Sequence, residues 1–454
     1  MRRCFSRQRL FAGAGIAAPC RAFGCDSGAT AARTVVFKSL GGVQHDAAMQ
    51  VALTRESVAI RTMFGNVEEG CSRSPIVVVY EPEPCPLAEA LLAAYRRAFE
   101  ACEPGLVAFV PFRAASFFDD VEGAASPSAA VVLIQNGAFQ NSLRTYRVRM
   151  RLWDMGLRVA EHGHLDAMTP MPPAATPFGT ASDVVERYMA SVGLCPFECE
   201  RSAQHIAAAL DASTDGVDLH TAGGHVLRYE GPLEKSLLNT GCFYGGLGAE
   251  CDGSGGGGSE KKKATRSVGG SYPFGEVISE SFALSSVNGT ASVFAYPNRH
   301  KRLEMASEAP PKHADLFTVT IEKGCVVDLC PDTPDEFRAM VSLVKDVEGE
   351  AVIRELGIGL NPHLSRSRAV ADITAFERQF GAHFSLGKRH PLFPKQKKPA
   401  SGAIPDGMAP YDFLRRRDGK FHLDVFMAAE RVTRRSPAAE VLIDFSKSPA
   451  EHKG

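Results

Sequence analysis

No run of apolar residues in this 454-residue chain approaches the roughly 20 needed to cross a bilayer as a helix, so no membrane partner is expected. A charge excess is also missing. The chain carries 51 Lys and Arg against 52 Asp and Glu, a formal net charge of -1, without the basic surplus of a nucleic-acid binder. Cysteine is present at 12 positions but never as C-x-x-C: three residues separate Cys195 from Cys199, and four separate Cys325 from Cys330. That excludes a zinc ribbon. Scattered cysteines in a chain this long fit thiols of a reducing compartment, most of them acting as small buried apolar residues. No sequence repeat is found.

The amino terminus departs from this balance. Arg2, Arg3, Arg7, Arg9 and Arg21 precede the first acid, Asp26, and are interleaved with Phe5, Leu10, Phe11 and Ile16. An arginine-rich, acid-free, amphipathic opening over 1–26 has the composition of a mitochondrial transit peptide. A disordered basic tail and a mispredicted start codon are the other readings, and would leave the protein cytoplasmic.

A length of 454 residues exceeds one ordinary core, and 44% apolar with 23% charged residues suits a globular chain. Two domains are therefore expected. In the first, 27–240, apolar strand candidates at 74–80, 106–112, 129–134 and 158–165 alternate with helical periodicity at 87–102, 139–157, 183–192 and 202–210. Strands that are apolar throughout and alternate with helices indicate an α/β fold with a largely parallel sheet. A hairpin over 217–229 should turn at Gly223-Gly224. The Gly/Ser- and Lys-rich segment 241–270 cannot bury a core and reads as a flexible linker. Beyond it, 271–454 is β-rich with inserted helices. Hairpins are expected at Asn288-Gly289 and Glu322-Lys323-Gly324, helices over 335–347 and 369–380, and strands at 351–360, 382–386, 421–427 and 441–445.

The chemistry concentrates in this second half. Residues two apart in a strand share a face, so His422 and Asp424 project together while Leu423 and Val425 point the other way. His383 and Ser385 repeat the arrangement. Carboxylates with imidazoles suit zinc, cobalt, manganese or iron. Glu355 lies in an apolar strand, where an unpaired carboxylate is costly to bury; its partner cation is a metal, Arg354 or Arg389. Glu276 reads either as a ligand or as a solvated strand-end carboxylate. Glu377 reads either as a site residue or as a surface salt bridge to Arg378. His162 and His164 lack an acidic cluster and read as structural or exposed.

Four segments in order resemble the thermophilic aminopeptidase T family of metallo-aminopeptidases. They are Pro273 with Glu276-Val277; Glu355 with Gly357-Ile358-Gly359-Leu360-Asn361-Pro362; Glu377 with His383-Phe384-Ser385-Leu386-Gly387; and His422-Leu423-Asp424. The resemblance covers about 271–445 and, more loosely, the α/β region before it. Two departures stand out. Glu377 lies six residues before His383 where the family usually has five, and His390 stands where the family has a Tyr. A divergent branch with proteins of bacterial peptide natural-product (crocagin) biosynthesis is also similar, and some of its members bind rather than cleave peptides.

The resemblance implies a Rossmann-like N-terminal domain, a β-rich α+β metal-binding domain of the aminopeptidase T type, and a homodimer. It implies two divalent ions (Zn, Co or Mn) held by Glu276, Glu355, His383, His422 and Asp424. Glu355 or Glu377 would move the proton, and Lys388, Arg389 or His390 would face the oxyanion of a peptide substrate. The same fold is similar to that of 2,5-dihydroxypyridine dioxygenase, which implies as an alternative one Fe(II) on His383, His422 and Asp424. A catalytically inactive peptide-binding homologue is the third expectation.

Overall fold

The computed structural model describes residues 75–100, 105–126, 129–137, 145–168, 178–241, 270–299, 302–306, 316–388, 420–435 and 439–447. All of these lie within one compact unit, Asp46–Gly454. The expected transit peptide over 1–26, nearly all of the linker and residues 389–419 fall outside the described residues.

β-Branched residues concentrate in the central strands of the parallel sheet, Ile76–Tyr80 and Ala130–Ile134. In chain order the strands are β1 (Ile76–Tyr80), β2 (Val107–Pro111), β3 (Ala130–Ile134), β4 (Arg158–His162), β5 (Gly216–Thr221), β6 (His225–Glu230), β7 (Leu237–Asn239), β8 (Gly270–Tyr272) and β9 (Glu276–Glu280). They continue as β10 (Val287–Pro297), β11 (Leu303–Met305), β12 (Phe317–Glu322), β13 (Cys325–Leu329), β14 (Ile353–Gly359), β15 (Gly381–Gly387), β16 (His422–Met427), β17 (Ala429–Arg434) and β18 (Glu440–Asp444).

β2, β1, β3, β4 and β8 form a parallel sheet in that order. Its central strands β1 and β3 are apolar on both faces because helices cover both. Ile76, Val78, Val132 and Ile134 pack with Leu87, Leu91 and Tyr95 of the helix Pro86–Ala98. Val77, Val79, Val131 and Leu133, one residue out of phase, pack with Phe117 and Val121 of the helix Phe117–Ala124 and with Val148 and Leu152 of the helix Thr145–Asp154. The α/β expectation is met here.

The remaining strands form a 13-stranded sheet, ordered β18-β17-β5-β6-β10-β16-β15-β14-β9-β7, with β11, β12 and β13 attached through β10. Every pairing in it is antiparallel. One face packs on the helices Pro196–Asp211 and Asp335–Glu348, whose Ala203, Leu210, Phe337 and Val344 meet Val277, Leu356, Ile358, Phe384 and Val425.

Two expectations change. Asn288-Gly289 is not a turn but lies inside the continuous strand β10. Gly289 is needed there for another reason. Its φ is 129°, and a Cβ would stand 2.1 Å from the carbonyl oxygen of Val226, so the signal marks close packing of backbones rather than chain reversal. The helix expected over 369–380 shrinks to one turn, Ile373–Phe376, started by the Asp372 carboxylate accepting from Ala375 N at 2.9 Å. The helix expected over 139–157 is present as Thr145–Asp154. The hairpins at Gly223-Gly224 and at 322–324 form as read. None of the described cysteines forms a disulfide.

Candidate metal centre

β9, β14, β15 and β16 are adjacent and antiparallel, and their alternate residues divide between two environments. Val277, Leu356, Ile358, Phe384 and Val425 enter the core. The opposite phase brings Glu276, Glu355, His383 and Asp424 onto the other face. Register fixes their order. Gly359 lies opposite Glu276, Gly357 opposite His383, and Ser385 opposite Asp424. An irregularity between Ile353 and Leu356 lets Glu355 N donate to Ser385 Oγ at 3.2 Å.

The polar atoms form a chain. His383 Nε2 stands 3.5 Å from Glu276 Oε1 and 3.5 Å from Glu355 Oε1. The other oxygen of Glu355, Oε2, is 3.6 Å from His422 Nε2, which is 3.1 Å from Asp424 Oδ1. Two groups of three convergent ligand atoms result, Glu276–Glu355–His383 and Glu355–His422–Asp424, each within 4.8 Å. Glu355 is common to both.

The donor set fits cations better than it fits itself. Separations of 3.5–3.6 Å are too long for good hydrogen bonds. Two donors about 2.1 Å from a tetrahedral ion stand about 3.4 Å apart. Both oxygens of Glu276 and both ring nitrogens of His383 are buried without a hydrogen bond among the described residues. Such atoms are costly unless something satisfies them.

His422 is oriented from behind. Its Nδ1 lies 3.0 Å from the carbonyl oxygen of Lys388. A carbonyl only accepts, so Nδ1 donates, and Nε2 is the nitrogen that faces the carboxylates and, on losing its proton, would face a cation. The side chain is 30% exposed, while that of His383 is fully buried, so the cluster opens on the His422 side.

Arg378 sits within this acidic group. Its Nη2 is 3.3 Å from Glu276 Oε2, its Nη1 pairs with Glu377 Oε2, and the residue is only 6% exposed. The salt bridge expected for Glu377 exists, but with a buried guanidinium rather than at the surface. The solvated reading of Glu276 is overturned as well, since the residue is fully buried. Arg354, considered as a partner of Glu355, donates from Nε to the Gly387 carbonyl at 2.7 Å and faces Glu280 at 3.8 Å. Arg389 and His390 lie outside the described residues.

The charges act on one another. Burial raises the Glu276 carboxyl above its usual range, against the opposing pull of Arg378 and His383. Burial does the same to Glu377, helped by Asp424, Glu276 and Glu355. Burial opposes protonation of His383 and His422, but the surrounding carboxylates outweigh it and raise both. Burial also opposes ionisation of Asp424, yet His422 and His383 hold its carboxyl below the usual range.

The structural reading of His162 is met. The ring is fully buried, stacked on Tyr272 at 4.2 Å, and bonded to the hydroxyls of Tyr95 and Tyr188 at 2.9 and 3.0 Å. Burial pushes its pKa down to about 3. His164 is exposed and pairs with Asp372 at 2.8 Å. The sequence left three supporting features unread: the interior role of Arg378, the Lys388 carbonyl behind His422, and the space made by Gly357. Only the last had a signal, in the alternating small residues of Gly357-Ile358-Gly359.

No protein-family model matches the chain, and no curated protein matches it. Among solved structures, 2,5-dihydroxypyridine dioxygenase from Pseudomonas putida KT2440 is similar at 13% identity and a TM-score of 0.47, over 88% of this chain and 99% of that one. Wild-type AmpT from Thermus thermophilus is similar at 12% identity and a TM-score of 0.47, over 88% of this chain and 100% of that one.

Proposed function

We propose that this protein is a metal-dependent hydrolase of the aminopeptidase type, with Glu276, Glu355 and His383 holding one divalent cation and Glu355, His422 and Asp424 a second. The observation that carries this reading is the position of Glu355, whose two oxygens address two different imidazoles. A carboxylate shared in this way screens the repulsion between neighbouring cations. The alternative of a single iron on two histidines and a carboxylate is less favoured, because among the described residues no group of convergent ligand atoms contains both imidazoles.

Zinc, cobalt or manganese would supply Lewis acidity and an acidified water. The chain's own residues supply the rest. Arg378 engages Glu377 Oε2, which leaves Oε1 to hold the proton. A carboxyl whose affinity for protons is raised by burial and by three neighbouring carboxylates is suited to carry a proton from the attacking water to the leaving amine. Hydrolysis then adds the water oxygen to the carbonyl carbon and the proton to the amine nitrogen as the C–N bond breaks. His422, held by the Lys388 carbonyl, fixes the open side of the centre. A divalent cation would take the lone pair of a free terminal amine but not that of an acetylated one, which favours a peptide with a free amino terminus. The strand order β2-β1-β3-β4-β8 is that of a flavodoxin-like doubly wound sheet rather than the Rossmann order expected from the sequence.

The test is release of amino-terminal residues from unblocked peptides by protein loaded with zinc, cobalt or manganese, with N-acetylated peptides as the control. The reading expects cleavage of the free peptides only, lost in Glu377→Gln with metal content retained. Equal cleavage of blocked peptides, or full activity in that variant, would overturn it.

A further inference from the structure

A cleft of about 210 Å³ opens at the carboxyl ends of β3, β4 and β8, outside the metal cluster. Crevices outside the carboxyl ends of the strands hold ligands in open α/β sheets where the strand order reverses, here between β1 and β3, beside this cleft. Its charged groups are already paired. Arg149 Nη2 engages Glu161 Oε1 and donates to Ser271 Oγ at 2.9 Å, and His164 faces Asp372. The second oxygen of Glu161 accepts from Gln135 Nε2 at 3.2 Å.

That last bond fixes the Gln135 amide. A carboxylate cannot donate, so the nitrogen must face Glu161 and Oε1 must face the other way. Oε1 points toward Gly163, which also lines the cleft, and lies 3.9 Å from where a Cβ at that glycine would be. Gln135 is fully buried, and Oε1 has no hydrogen bond among the described residues. Ser271 Oγ already accepts from Arg149, which leaves its hydroxyl proton to be donated. The cleft therefore has one donor at its surface and one unsatisfied acceptor just beneath its wall at Gly163, in a setting whose charges are compensated.

We infer that this cleft recognises a neutral carboxamide, an Asn or Gln side chain or a peptide amide, whose N–H donates to Gln135 Oε1 and whose carbonyl accepts from Ser271 Oγ. A carboxylate would set acceptor against acceptor at Gln135. An ammonium would leave the Ser271 proton without a partner. The volume suits a side chain, being below the roughly 300–1,000 Å³ of drug-sized pockets. Thr374 lines the cleft, and its carbonyl accepts from Arg378, the residue that also holds Glu276 and Glu377. Tyr272, also in the lining, is four residues before Glu276. Assigning the bound amide to the substrate rests on the hydrolase reading; amide recognition itself does not.

The test is saturation-transfer NMR on the full chain, with and without added zinc, using propionamide, propionate and propylammonium as probes. Propionamide alone should bind, equally in both states. Gln135→Leu should abolish its signal, and Ser271→Ala, a gentler change, should weaken it about fivefold. Binding of all three probes alike, no propionamide binding, binding only with zinc, or full binding in both variants would each overturn the inference. None of these outcomes depends on peptide cleavage, so a failed hydrolase reading would be recognised separately.

Discussion

The imidazole of His383 occupies the space that a side chain at residue 357 would need. Gly357 is its register partner across β14 and β15, and a Cβ there would stand 2.1 Å from Nε2. Gly357→Ala should therefore push the ring off Glu276 and Glu355. Overpacking costs about 1–3 kcal/mol, so the variant should fold with a lowered Tm and lose bound metal. Calorimetry and elemental analysis of the same sample check both effects.

Glu355 links the two groups of ligand atoms, so Glu355→Gln should do more than remove one ligand. Bound metal should fall from two ions to one or none. With chelator present the variant should melt somewhat lower than the parent, because protonated His383 and His422 lose a carboxylate partner. Titration with zinc and thermal melts in EDTA separate the two effects.

Arg378 is the buried positive charge between Glu276 and Glu377. Arg378→Leu leaves both carboxylates uncompensated, and breaking a buried pair from one side costs about 3–5 kcal/mol. The loss should be large in EDTA and smaller with saturating zinc, as read by denaturant midpoints in each condition.

The imidazoles give a pH signature. His383 and His422 are both raised above 6.5 in the metal-free fold. Their contribution is fully present below 6.5 and is lost as pH rises through the raised values. Glu276 and Glu377 are also raised, from about 4.5, so their contribution is lost in the same direction beginning at that lower pH. Stability of the chelated protein should therefore fall as pH rises above 6.5. Metal must displace these protons, so zinc affinity should rise over the same interval. Calorimetric titrations in buffers of different ionisation enthalpy would show the proton release.

The parallel sheet was legible because each of its strands is a short apolar run between helical stretches, and 76–80 or 130–134 can hardly be read otherwise. The ligand candidates were legible because strand periodicity alone puts His422 and Asp424 on one face. What periodicity cannot show is what lies opposite. The meaning of Gly289 depended on Val226, a residue 63 positions away in sequence, and a turn was the local reading of the same dipeptide. Arg378 looked like a surface partner of Glu377 because nothing local says that the turn after Phe376 folds over Glu276. The helix expected at 369–380 stopped after one turn because Gln379 and Phe380 pair back to Asn361 and Leu364.

Metal content per chain, measured by elemental mass spectrometry on untagged protein purified without chelator and then offered zinc, cobalt or manganese, tests the central claim most directly. Two ions per chain, reduced in His422→Ala, is the expected result. No bound ion at saturating metal, or unchanged content in that variant, would contradict it.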